Sequence, residues 1–457
     1  EHEVETLSER QSLLYVDRIF LHERTGSVAL NSLLEHGRPV RRRQHAFCTM
    51  DHIVDTIPGR SDDTLMPSGR DFIVATRSAA RETGIQLFDI QDPDQGIVHV
   101  ISPELGIALP GLSLICPDSH TCTLGGLGVL AWGVGSTEAE HALATSTLRV
   151  TRPQTMRVQF IGSMAEHVTA KDLILYTIRS LSASGGAGYA IEFAGPAIVA
   201  LPVESRLTLC NMATELSAFT GLIAPDEQVI DYCQGRPFAP RGAAWEAAIR
   251  HWQTLQSDAD AQFDSEHRID IGSLKPQLTW GTSPQHCIDW DEEIPGAGEA
   301  PDEATAASWQ QAQAYMGVTA GHRLSDYPLD AAFIGSCTNS RLSDLRDAAS
   351  YLTQTGHRVA KGVKALCVPG SGRVKRAAEA EGIDAVFRQA GFEWREPGCS
   401  MCFFAGGESL GEGVRVASTT NRNFQGRQGL GVRTHLGSPL SVVASACAGH
   451  LLADMTP

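Results

Sequence analysis

Three cysteines make the first chemical suggestion. Cys399-Ser-Met-Cys402 is a CxxC behind Pro397-Gly398, and Cys337 stands 62 positions before Cys399, inside Gly335-Ser-Cys-Thr-Asn-Ser340. All three fall in strand-to-helix or Gly-containing turns, where backbone amides are free to point at sulfur. A CxxC alone fits a redox pair, half a zinc site or two buried thiols. A third thiolate widens the choice. Three suit an iron–sulfur cluster with one iron lacking a protein ligand, or a zinc with an open position. An open position is what a Lewis-acid site needs, because substrate can then reach the metal. No fourth cysteine stands close in sequence; Cys367 and Cys447 lie in apolar strand or helix patterns. The full count is eleven, odd and in a large chain, which argues against a disulfide framework. Most of the others sit in apolar runs and read as small buried hydrophobes.

Acids beside imidazoles are the second suggestion. Asp51-His52 and Asp118-Ser119-His120 both lie in turns. A carboxylate can orient an imidazole and hold its proton for delivery. The bland alternative is a satisfied core or surface histidine, and spacing alone does not decide. Arg422 and Arg427 share a loop with two asparagines. They read either as a solvated basic turn or as a bidentate clamp for carboxylates, which needs planar guanidinium geometry. Ser371, between Gly370 and Gly372, is a weaker candidate for an anion-binding nest.

These residues need a scaffold that gathers turns. Several stretches read as short strand, polar turn, helix. Residues 112–116 form a strand candidate, 117–123 a turn, and a Gly-rich helix is expected to follow to about Leu148. Residues 331–335 read as a strand, 336–340 as a polar loop and 341–352 as an amphipathic helix. The scheme repeats over 363–381. Strands alternating with helices imply parallel sheets, whose ligands gather at the carboxyl ends of strands. Breaks near 151–155 and 289–303 suggest three α/β domains over 1–153, 154–288 and 289–457, in keeping with 457 residues at about 150 per domain.

Composition narrows the function class. Hydrophobic residues make up 42% and charged residues 20%, as in an ordered globular protein. A net charge of −16 argues against a general binder of nucleic acid or of an anionic membrane. No apolar run reaches the length of a membrane span, and residues 1–10 lack the apolar core of a signal peptide. A cytoplasmic location is expected. The absent initiator Met suggests numbering that starts inside the natural chain.

The motifs converge on a known family. Phe333-Ile-Gly-Ser-Cys-Thr-Asn-Ser-Arg341, Pro397-Gly-Cys-Ser-Met-Cys402 and Ser418-Thr-Thr-Asn-Arg-Asn-Phe-Gln-Gly-Arg427 resemble the aconitase superfamily. Within it they are most similar to the family of 3-isopropylmalate dehydratase large subunits of bacterial type. The likeness extends to Leu13-Leu-Tyr-Val-Asp-Arg18, Thr49-Met-Asp-His52, Gly96-Ile-Val-His99, Cys210-Asn-Met-Ala-Thr-Glu215 and Thr279-Trp-Gly281.

The resemblance implies three α/β/α domains of the aconitase type around a central cleft. It implies a [4Fe–4S] cluster on Cys337, Cys399 and Cys402, with one iron not ligated by protein. It pairs His52 with Asp51, His99 with Asp118 and His120 with Glu215, and makes His52 the proton donor to a departing hydroxyl. Asn211 and Ser119 stand near substrate, and Arg422 and Arg427 hold its carboxylates. The substrate is then a small di- or tricarboxylate, and the reaction interconverts 2- and 3-isopropylmalate by losing and returning water.

The base that takes the carbon-bound proton belongs, in that family, to a separate swivel domain. The chain ends at Pro457, soon after the arginine motif, so a separate small subunit is the expected partner. Three features depart from the usual large-subunit pattern: Cys122-Thr-Leu-Gly-Gly-Leu127, 403–411, and an N-terminal helix expected to be truncated. They keep open an alternative that acts on another 2-alkylmalate, or hydrates citraconate or maleate. Rivals from other classes are a cluster-free RNA-binding regulator, a redox CxxC protein and a zinc hydrolase.

Overall fold

The computed structural model describes residues 2–404 and 407–452. Part of the divergent 403–411 segment and the terminal Pro457 therefore lie outside the described residues. The chain is α/β with parallel sheets, and it packs as two compact units. The first comprises residues 1–54, 60–162 and 186–269; the second comprises 55–59, 163–185 and 270–457. The expected break at 151–155 falls inside the first unit.

A five-stranded, all-parallel sheet organises the first unit, in the order Gln86–Phe88, Ala46–Thr49, Arg18–His22, Ser113–Cys116 and Leu130–Gly133. Side chains alternate along each strand, and here both faces are buried. Phe20, Phe47, Leu114 and Cys116 join one core with Val98, Ile101, Leu207 and Trp252. Leu21, Ala46, Cys48 and Ile115 join the other, with Leu30, Leu33, Ala80 and Leu143 from the flanking helices. Strands buried on both faces read as continuous apolar runs, and the polar positions are pushed to their ends. That is why His22, Asp51-His52 and Asp118 all follow the carboxyl ends of neighbouring strands. A second sheet in this unit runs Thr220–Leu222, Tyr189–Ala194, Gln154–Ile161 and Ser265–Asp270, with its first three strands parallel.

The single Gly-rich helix expected after Thr123 does not form. Residues Ser119–Leu127 make a tight 3₁₀ run, Leu130–Gly133 a strand and Ser136–Thr145 a helix. Close approach is the reason. A Cβ on Gly125 would stand 1.7 Å from the Gly221 carbonyl oxygen, and one on Gly126 would stand 2.7 Å from the Leu207 nitrogen. The glycines let the 3₁₀ run lie directly on the helix Val203–Asn211 and the strand Thr220–Leu222.

The second unit carries its own five-stranded parallel sheet, ordered Glu393–Trp394, Lys364–Cys367, Ala331–Ile334, Arg415–Ser418 and Arg433–Leu436. Ala331, Phe333, Leu366 and Val416 are buried together in its core. The helix Leu342–Thr355 follows the polar 336–340 loop, and Gly372–Ala380 follows the 369–371 turn. The helix Ala170–Leu181 opens with a reciprocal cap, in which Asp172 Oδ2 accepts from Thr169 N and the Thr169 hydroxyl accepts from Asp172 N. Among the described residues, no helix is long and apolar enough to cross a membrane.

Candidate functional site

In the first unit, three strand ends assemble a proton-handling group. His52 Nδ1 lies 2.6 Å from Asp51 Oδ1, and its Nε2 lies 3.2 Å from Asp118 Oδ2. Two carboxylate acceptors suit a ring that carries protons on both nitrogens. Asp51 is fully buried and also accepts from Val98 N at 3.1 Å. Burial alone would raise its pKa, but the charge and hydrogen bond of His52, with His22 and Val98 N adding, hold it below the usual carboxylate value.

Asp118 caps the 3₁₀ run and accepts from His120 N at 2.7 Å. Burial again pushes upward, and the hydrogen bonds from His120 and His52 hold the group well below the carboxylate range. His120 Nε2 meets Glu215 Oε1 at 2.9 Å, from the 3₁₀ turn Met212–Leu216. The Ser119 hydroxyl lies 3.4 Å from His120 Nδ1. Asn211 is buried at the end of Val203–Asn211 and donates to Thr123 Oγ1 at 2.8 Å. The close seat made by Gly125 and Gly126 brings this helix end to the imidazole turn.

One pairing differs from the expectation. His99 Nε2 lies against Thr121 Oγ1 at 3.3 Å, while the Asp118 carboxylate is taken by His52 and His120. Asp118 is drawn toward the 3₁₀ run because it caps it. Burial drives His99 down to about 4, with the Asp118 charge opposing.

Two residues of this group escaped sequence reasoning. Glu23 is fully buried and its carboxylate accepts the backbone N–H groups of Asp51 at 3.1 Å, His52 at 2.8 Å, Ile53 at 2.5 Å and Val54 at 3.3 Å. It fixes the turn that carries the Asp51–His52 pair. Burial and the neighbouring Asp51 raise its pKa. His22 stacks on His52, ring centroids 4.0 Å apart, and burial with the nearby His52 drives it down to about 4. The only sequence signal was a charged pair directly after an apolar strand.

In the second unit, strand ends assemble sulfur. Cys337 follows Ala331–Ile334, Cys399 precedes and Cys402 ends the 3₁₀ turn Ser400–Cys402 after Glu393–Trp394, and all three are buried without disulfides. Polar groups converge on the sulfurs. Ser336 Oγ lies 3.3 Å from Cys402 Sγ, Arg427 Nη2 donates to Cys402 Sγ at 3.5 Å, and Asn421 Nδ2 donates to Cys337 Sγ at 3.6 Å. Ser336 holds φ +80°, a left-handed conformation uncommon outside glycine. Buried Arg341 bonds the carbonyls of Cys337 at 2.8 Å and Thr338 at 2.9 Å, and so fixes this turn.

Seven other cysteines are poor nucleophiles. Burial pushes the thiols of Cys48, Cys116, Cys210 and Cys367 well above their usual range, Cys233 and Cys287 to about 12 and Cys447 to about 11. Donors aimed at sulfur, in a buried set of three free thiols, fit a thiolate-held iron–sulfur group.

The arginine loop follows Arg415–Ser418. Arg422 and Arg427 are half-buried, and Arg427 Nε is buried with no hydrogen-bond partner among the described residues. Arg427 also lies over the rings of Phe403 and Phe424, at 5.0 and 5.4 Å from their centroids. Ser371 turns inward instead of forming a nest: it is fully buried and caps Gly372–Ala380, accepting from Val374 N at 3.0 Å.

Comparison with known proteins adds the following. The sequence profile of the aconitase family (aconitate hydratase) matches residues 1–449. The 3-isopropylmalate dehydratase large subunit 1 of Bradyrhizobium diazoefficiens is 51% identical over 449 residues, covering 98% of this chain and 93% of that protein. The crystal structure of Thermococcus kodakaraensis aconitase X in its holo-form aligns over 90% of this chain and 84% of its own, at 11% identity and a TM-score of 0.48.

Proposed function

The chain belongs to the aconitase family, and on that premise we propose that it is the large, catalytic subunit of a hydro-lyase that interconverts 2- and 3-isopropylmalate by removing and returning water. One observation carries the reading beyond the family. Three buried thiols with side-chain donors aimed at sulfur occur in the same chain as an imidazole flanked by two carboxylates. The 51% identity to a protein named for this activity supports the choice of substrate.

Cys337, Cys399 and Cys402 would hold a [4Fe–4S] cluster. Bound there, such a cluster would supply Lewis acidity toward the substrate hydroxyl. The other roles fall to the chain's own side chains. Asp51 grips His52 Nδ1 and sets the ring's orientation, so that Nε2 delivers the proton to the departing hydroxyl. Asp118 takes part of that proton's charge and orients His120. His120, held by Glu215, positions water for the return step. Arg422 and Arg427 bind the substrate carboxylates through charge-assisted, bidentate hydrogen bonds. A separate small subunit supplies the base for the carbon-bound proton.

The test is turnover of the anaerobically reconstituted chain with its small subunit, on isopropylmalate, citraconate, maleate and citrate. Absorbance of the unsaturated diacid is followed, and iron and sulfide are counted in the same sample. Isopropylmalate is expected to react fastest. Preference for another diacid would move the substrate and keep the mechanism. A sample without iron and sulfide would overturn the cluster, and a fully loaded sample inert toward all four would overturn the reaction.

A further inference from the structure

Lys171 breaks two local rules at once. It is a lysine with no solvent exposure, and a buried ammonium is costly unless compensated. It also sits in the first turn of Ala170–Leu181, the helix end where a cation is disfavoured by the peptide dipoles. Residues that break local rules inside an otherwise consistent fold point to function.

Its contacts say what it holds. Nζ donates to the carbonyl oxygens of Thr419 at 2.9 Å and Thr420 at 2.5 Å, directly past the strand Arg415–Ser418. The Thr419 hydroxyl in turn accepts from Gly335 N and donates to Gly335 O, each at 2.9 Å. Thr419 N donates to Phe333 O at 3.0 Å. Thr419 thus clasps the turn that carries Cys337, and Asn421 reaches Cys337 Sγ from the same segment. Lys171 has no ion pair within the described residues. The nearest acid in sequence, Asp172, is taken up by Thr169 and by Gln277 N at 2.8 Å. Burial drives Lys171 down to about 7, and Cys402, Asp172, Asp344 and Cys337, in that order, pull it back up.

We propose that Lys171 is the positioning cation of the thiol pocket, locking the 419–421 segment onto the Cys337 turn and supplying the buried positive charge that thiolates holding a cluster require. The inference rests on the cluster reading above. It assigns Lys171 no contact with substrate. It explains a buried lysine at the wrong helix end by the negative charge of a thiolate-held cluster, added to that of Asp172 and Asp344.

The experiment uses the full chain, reconstituted anaerobically, as wild type, Lys171→Met, Lys171→Gln and Lys171→Arg. The readouts are the reduction midpoint of the cluster by spectroscopically monitored titration and the rate of iron loss. Losing the charge in Met or Gln is expected to move the midpoint to more negative potential and speed iron loss about tenfold. Arg, which keeps the charge, is expected to restore the midpoint. A lysine that merely fills space would lower melting temperature in all three without this charge-ordered shift. Equal midpoints and equal iron loss in wild type and Lys171→Met would overturn the proposal.

Should every variant fail to fold, amine acylation of the loaded wild type still decides. Protection of Lys171 supports the lock, and labelling as fast as surface lysines overturns it. A wild-type chain that gathers no iron and sulfide strikes down the cluster reading and this inference together. A loaded wild type with an indifferent Lys171→Met strikes down this inference alone.

Discussion

In the first unit, His52 has Asp51 at one ring nitrogen and Asp118 at the other, His120 has Glu215, and Glu23 holds the backbone beneath them. In the second unit, a serine, an asparagine and an arginine are turned toward sulfur, and among the described residues Arg427 keeps a buried nitrogen unpartnered and Lys171 is buried without an ion pair. Both groups stand at the carboxyl ends of five-stranded parallel sheets. The first is nearly closed within itself: apart from His22 Nδ1, which has no partner among the described residues, its donors and acceptors answer one another. The second turns donors toward three buried thiols, as the proposed cluster would require. Proton transfer can be built from side chains alone, whereas Lewis acidity cannot, and under the proposed function the two regions would divide the work in that way.

The comparison breaks most visibly at the ligands. Cys402→Ser is expected to abolish cluster absorbance and reduce turnover below detection, while the melting of the chain without cluster moves little. Loss of the first unit's structure in that variant would show the two groups to be interdependent. His52→Asn makes the converse cut. It should lower kcat by about 10²–10⁴, the usual worth of a general acid, and leave the iron and sulfide count at the wild-type value.

Arg427→Lys sharpens the contrast further. It keeps the charge but loses the planar fork, so KM for the diacid should rise about tenfold, roughly 1.4 kcal/mol of binding, with kcat changed less. Glu23→Gln leaves part of a four-fold backbone acceptor set unmatched. Its cost in thermal or denaturant unfolding should be about 1–3 kcal/mol, accompanied by a fall in kcat as the Asp51–His52 turn loosens.

The smallest effect is a pH slope. His22 and His99 lie near 4 in the folded chain, below the ~6.5 of a free imidazole. The unfolded chain therefore takes up their protons first. The stability they contribute is complete above about pH 6.5 and is lost as pH falls toward 4. Melting temperature should drop over that window, and His99→Gln should flatten the slope. An unchanged slope would place the acid sensitivity elsewhere.

What the sequence made legible followed from strand ends. An apolar run interrupted by Asp-His, Asp-Ser-His or Gly-Ser-Cys announces a buried strand that ends in something polar, which places Asp51, His52, Asp118, His120 and Cys337 at strand ends, while their roles rested on the family resemblance. What stayed hidden was polar but looked ordinary. Glu23 reads as an acid in the first turn of a helix, where acids are common. Lys171 sits in a T-A-K-D capping sequence, where a lysine reads as solvent-facing. Neither residue type betrays burial, because burial is decided by strands far away in the chain. The Gly125-Gly126 step was misread as helix for the same reason: its glycines answer a neighbouring backbone, which local periodicity does not record. The partner of His99 was equally out of reach, since it depended on which way Asp118 turned when it capped the 3₁₀ run.

The seven thiols raised by burial have a consequence for how the protein is made and remade. Only a thiolate captures iron or attacks a disulfide. With Cys48, Cys116, Cys210, Cys233, Cys287, Cys367 and Cys447 held protonated, incoming metal meets few competing ligands, and oxidants find few places to cross-link the chain.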